Sequence, residues 1–510
     1  MGIKPLVFTL LASWQLLVGA SPVENGEVIY MQGVDSNGNT IASVLSDLKS
    51  NEPLGCVNCH RESGFGSSES GQTFPPISWR FLGKNQPEDD DSRFYHIQNK
   101  RKAYDADSFY RMMTSGVNSN GKLADSLMPK YVLTRQQSDD LIAYLKTISP
   151  GNDPGVDGEE IRIATIVDKR LPTVQREQHI AFLQGLFEMK NGLSRGELKR
   201  KQFSPIQKVP QYQSFRLWKL VVWELSENPD NWASELEQYY RQQTVFTVMR
   251  PIVRDSYASV AGFCTQHEIP CFFPSGNDLP GGDFYNFVFR DRLKQSADYL
   301  AGLRRTEEAS LFYIDQNSQI KKLDDTLNQL PYVSSYSASG LQSQYEKICA
   351  TAGRLLVNAP LEVLAALQQL SCPAKPGLQL TAMSNDVLDY QAIMDFNRRN
   401  KTSGICWATD YDRVLKRNLR QVRVNAMVQR FHIQAPDFEE LAKTLLNYGL
   451  LTDTLHKMAG NFTRVYMMEI IEHMLNSFPN YTYFSSITGA PYQRHLATPL
   501  NDYCASGEAS

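Results

Sequence analysis

Residues 56–60 read Cys56-Val57-Asn58-Cys59-His60. Two thiols three positions apart, followed at once by an imidazole, are the arrangement that attaches a c-type haem. The thiols add across the porphyrin vinyl groups, and the adjacent histidine reaches the iron. Other uses of a C-x-x-C pair need more than this sequence offers. A zinc site needs a second pair of ligands, but the next cysteine is Cys264. A redox dithiol belongs at a helix start within a strand–helix–strand unit, whereas these flanks are helical or rich in Gly and Ser. One haem c is therefore the expected cofactor, held covalently by Cys56 and Cys59, with His60 as axial ligand.

A second axial ligand is sought downstream, where methionine would raise the potential. Pro129 removes a backbone donor and biases Met128 toward an extended conformation, which places that methionine in a loop. Met112 and Met113 compete, but together with Phe109 they follow a helical spacing that suits a core. His96 is a further alternative and would give a bis-histidine iron of lower potential. Beyond the loop, Thr134 is placed to cap a helix on which Leu141, Ile142 and Leu145 share one face. The stretch from Pro87 to Asp91 reads as a solvated loop, or as an acidic patch that could orient a basic redox partner.

Across 25–148 these segments resemble the class I cytochromes c, in which a Met-Pro step precedes the terminal helix. The resemblance implies an all-α, monohaem cytochrome c domain over 21–149, with Met128 as the second iron ligand.

Working back, residues 1–20 carry Lys4, an apolar stretch from Pro5 to about Leu17, and Val18-Gly19-Ala20. This is the pattern of a secretory signal peptide cleaved after Ala20, and it implies a periplasmic protein. The apolar run is shorter than the ~20 residues a spanning helix needs, so no membrane span is expected in the mature chain. The whole chain of 510 residues is 42% hydrophobic and 21% charged, which excludes disorder, collagen-like repeats and a polytopic membrane protein. Lys plus Arg number 52 against 55 Asp plus Glu, for a net charge of −3. That balance argues against a nucleic-acid partner, which would need a basic face.

Working forward, 150–160 is rich in Pro, Gly and acid and reads as an interdomain linker. From 161 the pattern changes. Expected strands at 161–167, 215–225, 245–253, 271–274 and 311–314 alternate with helices at 175–193, 232–240, 257–267 and 292–305. The alternation resumes with strands at 355–357 and 378–382 and helices at 361–370 and 387–396. Two helices, at 438–447 and 462–475, close the series. Such alternation indicates parallel sheets built from βαβ units. No G-x-G-x-x-G follows the first strand, and no P-loop, G-x-S-x-G or H-E-x-x-H occurs.

The first strand, the 184–192 segment Gln-Gly-Leu-Phe-Glu-Met-Lys-Asn-Gly, and the run from Val253 through Ser256 to Ser275 and Asn277 resemble the type I periplasmic binding proteins. That family includes the branched-chain amino-acid receptors. The resemblance implies a two-lobed α/β module (a Venus flytrap) over 161–510, binding a small molecule between lobes. It assigns Ser256, Ser275 and Asn277 to the cleft, with Arg254 or Arg290 as charge partners. Ser256 as a plain helix cap accounts for that residue equally well.

Six cysteines remain, and in an exported chain they suit disulfides. Cys264 ends an expected helix and Cys271 begins the next strand, which suits a bridge across the loop. Fifteen pairings of six are possible; proximity favours Cys349–Cys372, leaving Cys406–Cys504.

The sequence thus reads as an exported c-type cytochrome. It would pass single electrons from a partner such as a periplasmic dehydrogenase to another cytochrome or an oxidase. The second module would sense a ligand or dock the partner. A solute receptor with an attached redox domain and a peroxidase-like haem enzyme are the alternatives. No acid, base or nucleophile constellation points to a hydrolase or transferase.

Overall fold

Ser21 and Glu24 close a capping box at the start of helix α1 (Pro22–Gln32), Ser21 accepting from the Glu24 amide while the Glu24 carboxylate accepts from the Ser21 amide. In this computed structural model the chain divides into two units, Met1–Gly151 and Asn152–Ser510. The structure describes residues 20–45, 48–50, 52–69, 72–85, 101–203, 216–254, 256–275, 285–289, 419–434, 436 and 438–477. Seven strands at 310–315, 333–337, 353–358, 379–383, 406–409, 484–486 and 501–504 complete the description. The expected signal peptide (up to residue 19), Pro87 to Asp91, His96, Asn277, Arg290, Cys349 and Cys372 lie outside these residues.

After α1 the first unit contains β1 (Ser43–Leu45), β2 (Leu48–Ser50), α2 (Val57–His60), β3 (Ser67–Glu69) and β4 (Gln72–Phe74). It continues with α3 (Trp79–Leu82), α4 (Ala106–Ser115), β5 (Lys130–Tyr131) and α5 (Arg135–Leu145). Thr134 caps α5 by accepting from the Gln137 amide, and Leu141, Ile142 and Leu145 are buried. Helix α1 crosses α5 at Gly26, where a Cβ would stand 2.1 Å from the carbonyl oxygen of Asp140. Only glycine allows that approach. The core of this unit gathers Ile29, Tyr30, Phe109, Met113 and Leu133 with the buried face of α5.

The expectation of an all-α unit needs correction. β2, β1 and β5 form a three-stranded antiparallel sheet, and β3 pairs with β4. Ser43 faces Tyr131 and Val44 faces Lys130. Lys130 and Tyr131, just past Pro129, pair with a strand far earlier in the chain.

The second unit opens with β6 (Glu160–Asp168), α6 (Thr173–Phe203), β7 (Leu217–Leu225), α7 (Trp232–Gln242), β8 (Thr247–Met249), α8 (Ala258–Gln266), β9 (Cys271–Phe272) and β10 (Asn286–Phe289). There follow β11 (Ser310–Asp315), β12 (Val333–Ser337), β13 (Gly353–Asn358), β14 (Gln379–Met383) and β15 (Cys406–Thr409). Helices α9 (Leu419–Arg430), α10 (Phe438–Lys457) and α11 (Arg464–Ser477), then β16 (Phe484–Ser486) and β17 (Asn501–Cys504), complete it.

One six-stranded sheet runs β16-β10-β9-β8-β6-β7 and another β12-β11-β13-β14-β15-β17. Each is parallel except for one antiparallel edge strand, β16 and β17 respectively. In the first sheet, Ile161, Ile163 and Trp218 face Leu183 and Phe187 of α6 and the apolar side of α10 and α11. Ala164, Ile166 and Trp223 point the other way, onto α7 and α8. Burial on both faces explains the near-continuous apolar run of β6. Each such large side chain contributes roughly 1.5–3 kcal/mol on leaving water.

A linker is expected at 150–160, but residues 152–160 are hydrogen-bonded within the second unit. Asp153 donates its amide to the carbonyl of Phe462 at 2.8 Å, and its carboxylate accepts from the amide of Arg464 at 2.6 Å. Gly155, at φ 96°, lies so close that a Cβ would stand 2.0 Å from the Phe246 nitrogen. Residues 152–160 are thus built into the second unit, because Arg464 supplies a partner that the local composition does not reveal. The buried Arg464 guanidinium also donates to the carbonyls of Val245, Phe246, Pro154 and His267 and to the Tyr240 hydroxyl.

Candidate functional site

In α2 the amides of Cys59 and His60 both donate to the Cys56 carbonyl, at 3.2 and 2.9 Å. One helical turn therefore sets the two sulfur-bearing side chains on the same face. Cys56 and His60 are buried, and neither cysteine is in a disulfide. Burial pushes the Cys56 thiol up to about 12.

His60 Nδ1 lies 2.9 Å from the carbonyl oxygen of Pro75. A carbonyl only accepts, so Nδ1 carries the proton and Nε2 keeps its lone pair. Burial lowers the His60 pKa to about 4, partly offset by the Pro75 contact, so the ring is neutral near pH 7. The chain leaves His60 through Arg61, at φ 62° and ψ 172°, whose carbonyl accepts from the Tyr30 hydroxyl at 2.5 Å.

Cys56, Cys59, His60 and Met128 all line one cavity of about 400 Å³. Its walls include Leu82, Tyr104, Phe109, Tyr131 and Leu141. The donor set, the apolar walls and the single available imidazole nitrogen fit a covalently held haem. Met112 and Met113 also reach the cavity, but from α4, where Met113 is buried in the core. Met128 enters from the loop before β5 and is half-buried.

The second set of expected residues is placed differently. Ser256 Oγ accepts from the Ala258 amide at 3.2 Å, at the entrance to α8. Ser275 donates its amide to the Pro251 carbonyl at 2.8 Å and accepts from the Val253 amide at 2.9 Å. These bonds bring Ser275 beside the chain that leads to Ser256. The Arg254 amide donates to Asp168 Oδ2 at 3.0 Å.

Two groupings here were not legible in the sequence. At the end of β6, the buried Asp168 accepts from Arg170 Nε (3.0 Å to Oδ1) and Nη2 (2.7 Å to Oδ2). Burial opposes its ionisation, yet Arg170 and the Arg254 amide hold its pKa below the usual carboxylate value. Deeper in, Thr165 donates to the Arg250 carbonyl at 3.1 Å and so accepts from His179 Nε2 at 2.9 Å. Arg250 itself pairs with Glu440 and donates to the Phe273 carbonyl at 2.6 Å. Burial, then the nearby Arg250 charge, lowers the His179 pKa to about 3.

Cys264 and Cys271 are joined in a disulfide, with Cα atoms 6.2 Å apart. The register of β15 on β17 sets Cys406 opposite Cys504. Among the described residues no cluster of three or more His, Cys, Asp or Glu could hold a metal ion. No helix among them is long and apolar enough to cross a membrane.

The geometry in the first unit is that of a c-type haem protein. The family model for cytochrome c matches residues 51–149, so this part of the chain is a cytochrome c domain, and that family implies covalently bound haem c. Similar solved structures include a fatty acid ABC transporter substrate-binding protein from Thermomonospora curvata, 13% identical, with TM-score 0.44, covering 66% of this chain and 87% of that one. An extracellular ligand-binding receptor from Verminephrobacter eiseniae is 13% identical, with TM-score 0.42 and coverages of 61% and 89%. A possible leucine/isoleucine/valine-binding protein from Rhodopirellula baltica SH 1 is 14% identical, with TM-score 0.41 and coverages of 62% and 87%. No curated protein matches the chain.

Proposed function

We propose that the protein is an exported monohaem cytochrome c that carries single electrons in a periplasmic, dehydrogenase-linked chain. Its second unit would be a two-lobed, binding-protein-like module that senses a small ligand or docks the redox partner. The observation that carries this reading is the convergence of Cys56, Cys59, His60 and Met128 on one apolar cavity. Haem bound there supplies a reversible one-electron couple at its iron.

The residues of the chain divide the remaining work. Cys56 and Cys59 anchor the group through thioether bonds. His60, oriented by the Pro75 carbonyl, presents Nε2 to the iron. Met128, which lines the same cavity, would offer its thioether as the second ligand and so raise the potential. Apolar side chains around them exclude water, which disfavours net charge on the oxidised centre. With Met128 as sixth ligand, the open position that the peroxidase-like reading needs would be absent.

Coexpression with a c-type haem maturation system tests the proposal. Mass spectrometry should find one haem on the peptide containing Cys56 and Cys59, and the spectrum should be low-spin in both oxidation states. A chain that matures without covalent haem would end this reading. For the second unit, a thermal-shift screen of the full chain against amino acids, sugars and organic acids separates ligand capture from docking. A flat response across the panel favours docking.

A further inference from the structure

The loop that delivers Met128 is pinned at both ends. Upstream, the Ala124 amide donates to the Gly116 carbonyl at 2.8 Å. Downstream, Lys130 and Tyr131 are paired to β1. Between these anchors, Asp125 organises a reverse turn. Its Oδ1 accepts from the Leu127 amide at 2.9 Å, and its own carbonyl accepts from the Met128 amide at 3.0 Å. Aspartate suits this first turn position because its short side chain reaches the amide two residues on. Asp125 is exposed and does not belong to the buried core.

We propose that Asp125 is a positioning residue for the sixth iron ligand: its carboxylate holds the 125–128 turn closed, which keeps the Met128 thioether directed into the cavity. The proposal rests on Met128 being that ligand. With the side-chain bond removed, the main-chain bond alone holds the turn, and the methionine leaves the iron more often. Neutral asparagine retains the same acceptor oxygen, so the effect depends on the hydrogen bond and not on charge.

The test uses the full-length ferric holoprotein and its Asp125→Ala, Asp125→Asn and Met128→Ala variants. Added imidazole, which competes for the sixth position, is the probe, followed by loss of the near-infrared band of methionine-ligated haem. Asp125→Ala should bind imidazole roughly fivefold more tightly, as expected for loss of one modest hydrogen bond. It should also lose the band at lower temperature, have a lower midpoint potential, and exchange its Leu127 amide hydrogen faster. Asp125→Asn should restore the native imidazole affinity, band stability and Leu127 exchange, while its potential also carries the lost charge of a residue that lines the cavity. Native-like imidazole affinity and potential in Asp125→Ala would overturn the proposal, as would an Asp125→Asn protein that behaves like the alanine variant. Met128→Ala identifies the other failure: a near-infrared band that persists there removes the axial assignment, and the proposal with it.

Discussion

The imidazole of His60 donates from Nδ1 to the carbonyl of Pro75 across 2.9 Å, fifteen residues further along the chain. This one bond fixes both the tautomer and the plane of the ring, and leaves Nε2 as the available nitrogen. A histidine held this way is a better ligand than one free to rotate. His60→Ala should therefore retain haem covalently on Cys56 and Cys59 yet lose the low-spin spectrum. Added imidazole should restore that spectrum in part. A His60→Ala protein that stays low-spin without imidazole would show that another side chain holds the iron.

Three methionines reach the cavity, and they differ in what holds them. Met113 is buried in α4 and Met112 lies beside it, whereas Met128 stands on a loop outside helix and strand. Met128→Ala should abolish the near-infrared band and lower the midpoint potential by about 0.1 V or more, within the ~0.8 V span that axial ligands command. Met112→Leu and Met113→Leu should leave the band in place. Potentiometry and near-infrared spectra of the three variants decide the matter.

His179 makes the second unit sensitive to acid. Its pKa in the fold, about 3, lies well below the ordinary value of 6.5. Between those values the unfolded chain takes up a proton that the folded one refuses, so stability falls as pH drops from 6.5 toward 3. The loss attributable to this residue is of order a few kcal/mol over that window. His179→Gln keeps an N–H for Thr165 but cannot titrate. Urea midpoints between pH 7 and pH 4 should fall less steeply for the variant; parallel curves would remove His179 from the account.

What was legible in the sequence follows the range of the forces involved. Cys56, Cys59 and His60 could be read because haem attachment needs them contiguous, and α5 because Thr134, Leu141 and Leu145 repeat at helical spacing. β6 could be read because burial on both faces demands a continuous apolar run. The pairing of Ser43 with Tyr131 could not, since strands of two or three residues carry no periodicity. β16 and β17 were missed for a related reason: each is a short antiparallel edge far in sequence from its partner. The cluster of His179, Thr165, Arg250 and Glu440 draws on four separate segments, so no local pattern announces it. Residues 152–160 have the composition of a tether, and only Arg464 makes them part of a fold.

Arg464 gives that contrast an energetic test. Its guanidinium donates to four carbonyls and a hydroxyl, joining the start of the second unit to β8, α7 and the end of α8. Arg464→Ala strands several buried acceptors and should cost roughly 3 kcal/mol or more. Lysine, a point charge without the planar fork, should recover only part of this. Chemical denaturation of the holoprotein, followed by tryptophan fluorescence for the second unit and haem absorbance for the first, should show the loss in the fluorescence transition. An equal shift in both would mean that the two units unfold together.

The cysteines of the second unit offer a covalent test of both sheets. Cys264 and Cys271 close a short loop between α8 and β9, and replacing both with alanine should cost roughly 2–3 kcal/mol. In the other sheet, Cys406 and Cys504 are direct cross-strand partners of an antiparallel pair. Such partners have Cα atoms about 4.5–5.5 Å apart, inside the range that a disulfide spans. A bridge there would tie β17 to β15 and leave Cys349 and Cys372 to each other. Peptide mass spectrometry of the unreduced, mature protein should recover the 406–504 and 264–271 links as separate cross-linked species. Recovery of Cys504 joined to Cys349 or Cys372 would mean that the edge strand pairs elsewhere, and the register of β17 would have to be redrawn.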